Sequence, residues 1–425
     1  MLIAFLVALF GFILLNVPIA FSLILTTVVL MMFMDSVSAE IITQSIVRGI
    51  DSFALMAIPF FVLAGEIMNV GGISKRIVFF AKALVGHVTG GLGYVTVLAS
   101  MLFAGVSGSA IADTTAIGSI LLPIMEQEGY DKKKSTALIV SAGTIGPIIP
   151  PSIPMIIFGV IGGVSIVKLF LGGIIPGVLI GLGLMVVWYF HAKKKGYRSD
   201  HKSSMKEVWA STKNAFWAIL LPVIIMGGIL SGVFTPTEAA VVAVVYALFV
   251  GFFGYKELKL HHLPEILITS SKSTAVVMLV CGAATAAGYM ITTAQVPQLL
   301  AHTLLSISDN IMIVMLLINI LLLLVGCVMD LTPALLIMGP ILLPIVVDFG
   351  LDPIYFGVVM VVNLCIGLIT PPVGNVLFVG CGLSKLSMKD LTPPVLGFIA
   401  VMISVLLLIT YVPDLITFIP YAVSQ

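Results

Sequence analysis

The sequence predicts an all-α polytopic membrane protein with two inverted-topology repeats, each containing a re-entrant helical hairpin and a broken helix. This prediction rests on the composition, on a pair of similar proline-rich stretches and on the distribution of lysine and arginine. Of the 425 residues, 60% are hydrophobic and only 9% are charged. A soluble domain carries about 25% charged residues, so this chain is suited to a lipid bilayer.

The composition also limits the classes of partner and chemistry. A membrane span needs about 20 apolar residues, and the chain offers roughly ten such segments. The net charge of +1 gives no reason to expect nucleic acid, so membrane lipid is the expected surrounding. The cysteines Cys281, Cys327, Cys365 and Cys381 lie in apolar runs without a CxxC pair, which favours buried hydrophobic residues over disulfides or metal ligands. The N-terminal segment 1–34 lacks lysine and arginine, so no cleavable signal peptide is expected.

Two stretches of the chain repeat each other at an offset of 221 in the numbering. "IGPIIPPSIPMIIFG" at 145–159 and "IGLITPPVGNVLFVG" at 366–380 are identical at six of fifteen positions. "GSILLPIM" at 118–125 and "GPILLPIV" at 339–346 match at six of eight positions with the same offset. One offset that joins two separate motifs indicates an internal duplication, as in many secondary transporters.

The basic residues assign sides to the two halves. The positive-inside rule makes the basic interval 191–213 a cytoplasmic linker between a first repeat, 1–190, and a second repeat, 214–425. Outward from this linker, we predict hairpins at about 90–130 and 311–350 and broken helices at about 131–163 and 352–384. This topology places all but Arg48 and Lys168 of the 20 lysines and arginines in the cytoplasm. The two repeats then have opposite orientations.

The Pro-Pro pairs interrupt helices at a depth where interruption is costly. An unpaired backbone group in hydrocarbon costs several kcal/mol, so breaks persist only where protein covers them or a polar cavity adjoins them. Freed carbonyl groups suit Na⁺, and the N-termini of half-helices suit a carboxylate. A simple proline kink is the alternative. Two Pro-Pro breaks at matching repeat positions, each beside a polar-tipped hairpin, favour a transport site.

The hairpin tips and the breaks supply the residues that we expect to bind Na⁺. A hard cation takes hydroxyl, carbonyl and carboxylate oxygens, and an acid within a membrane span costs roughly 2.5–3.5 kcal/mol unless it has a function. We predict one Na⁺ site between the first tip and the first break, and a second between the second tip and the second break. The first-half candidates are Ser107, Gly108, Ser109, Asp113, Thr144, Gly146, Pro147 and Pro150. The second-half candidates are Gly326, Met329, Asp330, Thr332, Gly367, Thr370 and Pro371.

Residues just past each Pro-Pro pair are candidates for contact with substrate. They are Ser152, Thr370, Gly374 and Asn375. Helix capping is an alternative role for Asp113, Ser152 and Asn375, since short polar side chains are frequent N-caps. Glu238 is expected to be a structural acid in the first turn of its helix, and the sequence assigns no role to Glu66.

Signatures of enzymes and ATPases are absent from the sequence. No HExxH, GxSxG or Walker A motif occurs, and no GxGxxG lies in a suitable context. We therefore expect neither an enzyme nor an organic cofactor. Any pumping would be driven by an ion gradient or by another subunit.

Four stretches together resemble a known family. "GVSGSAIADTTAIGSILLPIM", "GTIGPIIPPSIPMIIFG", "GVFTPTEAAVVAVVYAL" and "IGLITPPVGNVLFVG" resemble the large membrane subunit of tripartite ATP-independent periplasmic (TRAP) transporters, and the resemblance covers essentially the whole chain. It implies Na⁺-coupled uptake of an organic acid, with two or more Na⁺ ions, by an elevator-type fold in the bacterial inner membrane. The family's ion-site pattern falls on Ser109 and Asp330, which are repeat mates.

The resemblance also implies partners and a substrate class. A periplasmic substrate-binding protein would deliver the acid, and a small four-helix membrane subunit would pack on the scaffold. The chain begins directly at the first repeat, so this small subunit is expected to be a separate polypeptide. Similarity to sialate members favours sialic acid, with C4-dicarboxylates as the other substrate type.

Two other functional classes remain open at this stage. A stand-alone Na⁺/carboxylate symporter with the same hairpins would need no binding protein. A channel or a scaffold subunit is the second class, and the paired re-entrant hairpins argue against a channel.

Overall fold

A computed structural model describes residues 2–34, 38–197, 205–299 and 310–423, so the middle of the predicted linker, 198–204, lies outside the described residues. Its regular structure is helical throughout the described residues, which confirms the all-α prediction. The first half contains α1 Leu2–Leu14, α2 Ile19–Phe33, α3 Ala39–Ile50, α4 Ala57–Val70, α5 Ile73–Val85, α6 Gly91–Ser107, α7 Ala110–Gln127, α8 Lys132–Gly143, α9 Ile153–Gly162 and α10 Ile166–Lys195. The second half contains α11 Met205–Leu230, α12 Pro236–Phe249, α13 Leu263–Thr293, α14 Ile311–Gly326, α15 Leu331–Asp348, α16 Pro353–Gly367, α17 Asn375–Ser384, α18 Met388–Tyr411 and α19 Asp414–Val423.

Six of the described helices are long and apolar enough to cross a membrane. A seventh span results if α3 and the bent segment Ala54–Val70 count as one. The estimate of roughly ten spans was therefore too high by this measure. Several apolar segments form only short helices of 10–17 residues, among them α9, α14, α16 and α17. Length and hydropathy still indicate a polytopic membrane protein.

Helix starts in the two halves recur at the offset found in the sequence. Helix α7 begins at 110 and α15 at 331, and α8 begins at 132 and α16 at 353, so both pairs share the offset of 221. Local chemistry explains the second pair. Asp131 accepts a hydrogen bond from the Lys134 amide at 2.9 Å, and Asp352 accepts one from the Ile354 amide at 2.6 Å. These aspartates are 221 positions apart and both act as N-caps.

The hairpin helices of each half pack against the broken helix of the other half. Helix α7 contacts α8 and also α17, and α15 contacts α16 and also α9. Phe158 of α9 and Phe356 of α16 meet edge to face, with ring centroids 6.3 Å apart. Both rings are fully buried. The two halves of the chain therefore share one interleaved core, which we call the hairpin group (α6–α10 and α14–α19).

A buried polar ladder ties three helices of the hairpin group together. The Asn363 amide on α16 donates to Oδ1 of Asn319 on α14 at 2.8 Å. Asn319 in turn donates to the Thr410 hydroxyl on α18 at 3.0 Å. Buried polar groups are stable when they are hydrogen-bonded, so this ladder fixes the relative positions of these helices.

The remaining helices form a second set, which we call the outer group (α1–α5 and α11–α13). Helix α13 packs against α2, α3 and α4, and α12 packs against α4. The start of α12 is fixed by a capping box, because Glu238 accepts from the Thr235 amide at 2.8 Å while the Thr235 hydroxyl accepts from the Glu238 amide. The structural role predicted for Glu238 is confirmed. The outer group meets the hairpin group where α13 contacts α15 and where α4 and α5 contact α6.

Candidate functional site

The first break separates α8 from α9 and is buried. The chain leaves α8 after Gly143 and starts α9 at Ile153, with a cis peptide bond between Pro150 and Pro151. Ser152 is the N-cap of α9, since its hydroxyl accepts from the Met155 amide at 3.3 Å. The same hydroxyl donates to the Pro147 carbonyl. The capping alternative for Ser152 is therefore the role that the structure shows.

The tip of the first hairpin lies directly on this break. Gly108 links α6 to α7 with a φ of +58°, a region that favours glycine. A Cβ at Gly108 would lie 3.2 Å from the Pro151 carbonyl oxygen, so a larger side chain would press on the break. Ser109 is the N-cap of α7 and accepts from the Ala112 amide at 3.4 Å.

Asp113 is the buried acid of this site, and its carboxylate is only half satisfied. The Ser107 hydroxyl donates to Oδ1, whereas Oδ2 has no hydrogen-bond partner within the described residues. Gly146 of the break lies against this carboxylate, because a Cβ there would collide with Oδ2. The N-cap alternative for Asp113 is wrong, since Ser109 occupies the N-cap position and Asp113 lies inside the first turn.

A second unsatisfied oxygen lies one residue further along α7. The buried Thr114 hydroxyl has no partner in the described part of the chain and faces Gly143 at the end of α8. Sequence reasoning did not select Thr114, although it follows Asp113 directly. The other first-break candidates are also buried, and the Thr144 hydroxyl donates to the Ser141 carbonyl at 2.7 Å. Unpaired carboxylate and hydroxyl oxygens have the chemistry that a hard cation such as Na⁺ prefers.

The second hairpin tip meets the second break in a similar way. Gly326 and Gly367 touch through their backbones, because a Cβ at Gly367 would collide with Gly326. The Gly374 amide donates to the Cys327 carbonyl at 3.4 Å, and Pro371 and Pro372 are joined by a cis peptide bond. The tip and the break are therefore in direct contact in this half as well.

Asp330 and Asn375 connect the second tip to the start of α17. Asp330 occupies the N-cap position of α15 but makes no capping hydrogen bond. Its Oδ1 accepts from the Asn375 side-chain amide at 3.2 Å. The capping alternative for Asn375 is wrong, because Gly374 is the N-cap of α17. The Thr370 hydroxyl donates to the Ile366 carbonyl at 2.7 Å, Met329 is buried and Thr332 is half-buried.

A cavity of about 680 Å³ lies between the two groups of helices. It is lined by both hairpin tips, by part of each break, and by α4 and α13. Six of the predicted Na⁺-site residues line it: Ser107, Gly108, Ser109, Pro147, Asp330 and Thr332. The predicted substrate residues Ser152, Thr370, Gly374 and Asn375 are not part of its lining. The structure thus brings the two tips together at one cavity but leaves these four residues outside it.

The outer group contributes polar residues that the sequence reasoning missed or left unassigned. They are Glu66 and Asn69 of α4 and Lys272 and Ser273 of α13. Lys272 is the one basic side chain lining the cavity within the described residues. The sequence does indicate Lys272 as a candidate, because it is the single basic residue of the apolar helix α13. An ionisable residue inside a span usually marks a binding site or a polar pathway.

Comparisons with known proteins identify the family. The family model described as "Tripartite ATP-independent periplasmic transporter, DctM component" matches residues 6–415. The Escherichia coli protein named 2,3-diketo-L-gulonate TRAP transporter large permease protein YiaN is 48% identical, with 97% of each chain covered. The Vibrio cholerae sialic acid TRAP transporter large permease protein SiaM is 42% identical, with 96% of each chain covered. The Pseudomonas aeruginosa C4-dicarboxylate TRAP transporter large permease protein DctM is 41% identical, with 85% of each chain covered.

These matches span both halves, the hairpin tips and the breaks. They confirm the resemblance to the large membrane subunit, which the four sequence stretches indicate. The chain therefore belongs to the DctM family of large permease components of tripartite ATP-independent periplasmic transporters.

Proposed function

We propose that this chain is the permease subunit for Na⁺-coupled secondary uptake of an organic acid across the bacterial inner membrane. One observation carries the proposal: a single cavity is bounded by both hairpin tips on one side and by Lys272 on the other. The unsatisfied Asp113 carboxylate lies just behind the first tip. An anion site and a cation site are thus built from adjoining elements.

The first Na⁺ would bind where the tip and the break meet. Asp113 is fully buried, and a buried carboxylate without a positive partner is strongly unfavourable. Within the described residues no salt bridge compensates its charge. The Asp113 carboxylate, the Thr114 hydroxyl and the backbone around Gly143 and Gly146 would receive the ion. Binding there would hold the first tip against the break and thereby fix the cavity-facing residues Ser107 and Ser109.

A second Na⁺ would bind at the corresponding junction of the other half. Asp330 lies at the tip and borders the cavity, and its bond to Asn375 ties it to the second broken helix. The backbone carbonyl groups of the second break around Thr370 would be the other oxygen ligands of this junction. Two ions that organise two tips around one cavity would couple ion binding to substrate binding.

The substrate would bind through its carboxylate at Lys272. Hydroxyl groups of Ser107, Ser109, Thr115, Ser273 and Thr332 surround the rest of the cavity. This lining suits an acid that carries its own hydroxyl groups. Relatives named for 2,3-diketo-L-gulonate and for sialic acid support a sugar-derived acid, and the relative named for C4-dicarboxylates keeps that type in the test panel.

An elevator movement would transfer the substrate. The Na⁺ candidates belong to the hairpin group, whereas Glu66 and Lys272 belong to the outer group, so the cavity lies on the boundary that would slide. Helix α4 ends at Val70, just before Lys75 and Arg76, which the positive-inside rule places in the cytoplasm. The cavity thus lies toward the cytoplasmic side, as in an inward-facing state.

The partners follow from the family. We propose that a periplasmic binding protein delivers the acid and that a small four-helix membrane subunit packs on the outer group. The test is uptake into proteoliposomes that contain the permease and its small subunit, with sialic acid, diketogulonate and C4-dicarboxylates as the panel. We expect uptake only with an inward Na⁺ gradient and a matching binding protein. Equal uptake without a binding protein would favour the stand-alone symporter, and flux without gradient coupling would favour a channel.

A further inference from the structure

A second cavity, of about 700 Å³, lies away from the proposed transport site. Three segments line it: the first turns of α5, the first half of α11 and the residues that follow α12. The lining residues used below are Lys75, Arg76, Lys213, Trp217, Tyr255 and Glu257. None of them lines the transport cavity, so this pocket needs its own explanation.

Arg76 is held rigidly on one side of the pocket. Its Nη1 donates to the Gly72 carbonyl at 2.9 Å and to Oε1 of Glu257 at 2.7 Å. The guanidinium carbon also lies 3.7 Å from the centre of the Tyr255 ring. Glu257 is the one acid lining the pocket within the described residues, and it is already paired with Arg76. A guanidinium has five N–H donors, so Arg76 retains donors for a further ligand.

Lys75 and Lys213 provide two uncompensated charges. Both side chains are exposed, and no salt bridge involves either of them within the described residues. Lys75 and Arg76 lie in the first turn of the 13-residue helix α5, where the helix dipole is positive and basic residues are unfavourable. Basic residues concentrated at the wrong end of a helix are stabilised when an anion binds between them.

The surroundings of the pocket match the membrane interface. The positive-inside rule places Lys75, Arg76 and Lys213 on the cytoplasmic side. Trp217 and Tyr255 line the pocket, and such amphipathic rings are enriched at headgroup level. Phe216 of α11, Phe249 at the end of α12 and Phe253 just after it are exposed by 51%, 52% and 68%, and the Phe216 ring centroid lies 5.4 Å from that of Trp217. Apolar side chains next to a basic pocket offer a surface for acyl chains.

We infer that this pocket binds the phosphate headgroup of an anionic phospholipid. Lys75, Lys213 and the free donors of Arg76 would contact the phosphate, while the acyl chains would lie along Phe249 and Phe253. Basic pockets between helices on the cytoplasmic side are known to take anionic headgroups. A lipid that bridges α5, α11 and α12 would fix the outer group in the bilayer while the hairpin group moves.

Thermal unfolding of the full-length chain in neutral detergent tests this inference. Titration with dioctanoyl phosphatidylglycerol should raise the unfolding temperature, because a ligand of the folded state stabilises it. The same titration with dioctanoyl phosphatidylcholine should have little effect. The double variant K75Q/K213Q should bind phosphatidylglycerol about 30-fold more weakly. Arg76 remains unchanged, since its bond to Glu257 maintains the pocket.

A matched control removes two cytoplasmic charges elsewhere. The variant K385Q/K389Q loses two exposed lysines that lie outside the pocket and should respond like the unmodified chain. An unchanged response in K75Q/K213Q, or an equal loss in K385Q/K389Q, would overturn the site. An equal response to phosphatidylcholine would overturn its preference for anionic lipid. An equal effect of inorganic phosphate at the same concentration would assign the pocket to free phosphate and overturn the lipid as its source.

Discussion

Asp113 and Lys272 are ionisable side chains within the helical body, and each requires a partner of opposite charge. Asp113 is fully buried, with one oxygen bonded to Ser107 and the other unsatisfied within the described residues, whereas Lys272 faces the open cavity. The difference in exposure separates their proposed roles. A carboxylate that is shielded from water suits a dehydrated Na⁺, and a solvated ammonium suits the carboxylate of an arriving substrate.

The first prediction concerns Asp113→Asn. Asparagine retains an oxygen and most of the volume but removes the charge. The Na⁺ concentration for half-maximal uptake should rise about 10- to 100-fold, equivalent to about 1–3 kcal/mol of lost ion contact. Thermal stability without Na⁺ should be unchanged or higher, because an uncompensated buried charge has been removed. Na⁺ titrations of proteoliposome uptake and thermal scans in Na⁺-free buffer measure these two effects.

Asp131→Asn is the matched control for this change. Asp131 caps α8, and asparagine is an equally good N-cap, so Na⁺ dependence should stay as it was. Asp330→Asn should shift Na⁺ dependence in the same direction as Asp113→Asn. Unchanged Na⁺ dependence in both site variants would remove the hairpin tips from the ion sites.

The second prediction concerns Lys272→Met, which keeps the length of the side chain and removes its charge. The KM for the acid should rise about 10- to 100-fold, because a charged hydrogen bond to the carboxylate is worth about 1.5–3 kcal/mol. The Na⁺ dependence should not change, since Lys272 lies in the outer group. Lys259→Met is the control, because Lys259 lies outside the cavity lining and the positive-inside rule places it in the cytoplasm. A normal KM in Lys272→Met would contradict the substrate role.

At the scale of elements, each hairpin tip fits its break because small residues allow close approach. Gly146 lies against the Asp113 carboxylate, and Gly367 lies against the backbone of Gly326. An added methyl group would meet a side-chain carboxylate at Gly146 but backbone atoms at Gly367. A carboxylate can rotate to make room for a methyl group, whereas a backbone can give way only if the tip itself moves.

The third prediction follows from this difference. Gly367→Ala should destabilise the protein more than Gly146→Ala, since overpacking against backbone costs about 1–3 kcal/mol or more. Gly146→Ala should act mainly on Na⁺ affinity, because it displaces the Asp113 carboxylate. Thermal unfolding with and without Na⁺ separates the two effects. Gly227→Ala is the control: nothing lies within 4 Å of its added Cβ, and alanine favours a helix interior. If Gly146→Ala destabilised the protein more than Gly367→Ala, the described packing would be wrong.

At the scale of the whole molecule, residues of the hairpin group and the outer group together line the cavity of about 680 Å³. Their contacts include α13 with α15, α5 with α6 and α7, α4 with α6 and α9, and α11 with α6. An elevator mechanism requires these contacts to slide while the interleaved core of the hairpin group stays intact. A covalent link across this boundary should therefore stop transport without unfolding either group.

The fourth prediction uses Gly288 of α13 and Pro340 of α15. A Cβ at Gly288 would lie 3.8 Å from the Pro340 Cβ, which suits a disulfide. With the four native cysteines replaced by serine, the pair Gly288→Cys/Pro340→Cys should form a disulfide under oxidation and lose uptake. Reduction should restore uptake, and each single variant should transport under both conditions. Full uptake by the cross-linked protein would contradict sliding along this boundary.

The sequence by itself determined the solvent, the helical class and the positions of the helix ends. These properties are local: hydropathy over about 20 residues indicates the bilayer, the pairs Pro150-Pro151 and Pro371-Pro372 lie between helices, and Asp131 and Asp352 are N-caps. The offset of 221 that the sequence shows recurs between helix starts, at 110 and 331 and at 132 and 353. The same local chemistry could not decide between capping and binding roles, so Asp113, Ser152 and Asn375 stayed open until their hydrogen bonds were known.

Only the tertiary structure decided which groups share a cavity. Lys272 and Ser109 lie in different halves of the chain, and no local pattern relates the two. Lys272 and Ser109 line the same cavity because α13 packs against α15 and because the two halves interleave. Both are contacts between segments that are distant in the chain. The unsatisfied oxygens of Asp113 and Thr114 became visible for the same reason, because satisfaction is a property of neighbours in space. The sequence could name the acids, and the packing showed which buried carboxylate oxygen lacks a hydrogen-bond partner among the described residues.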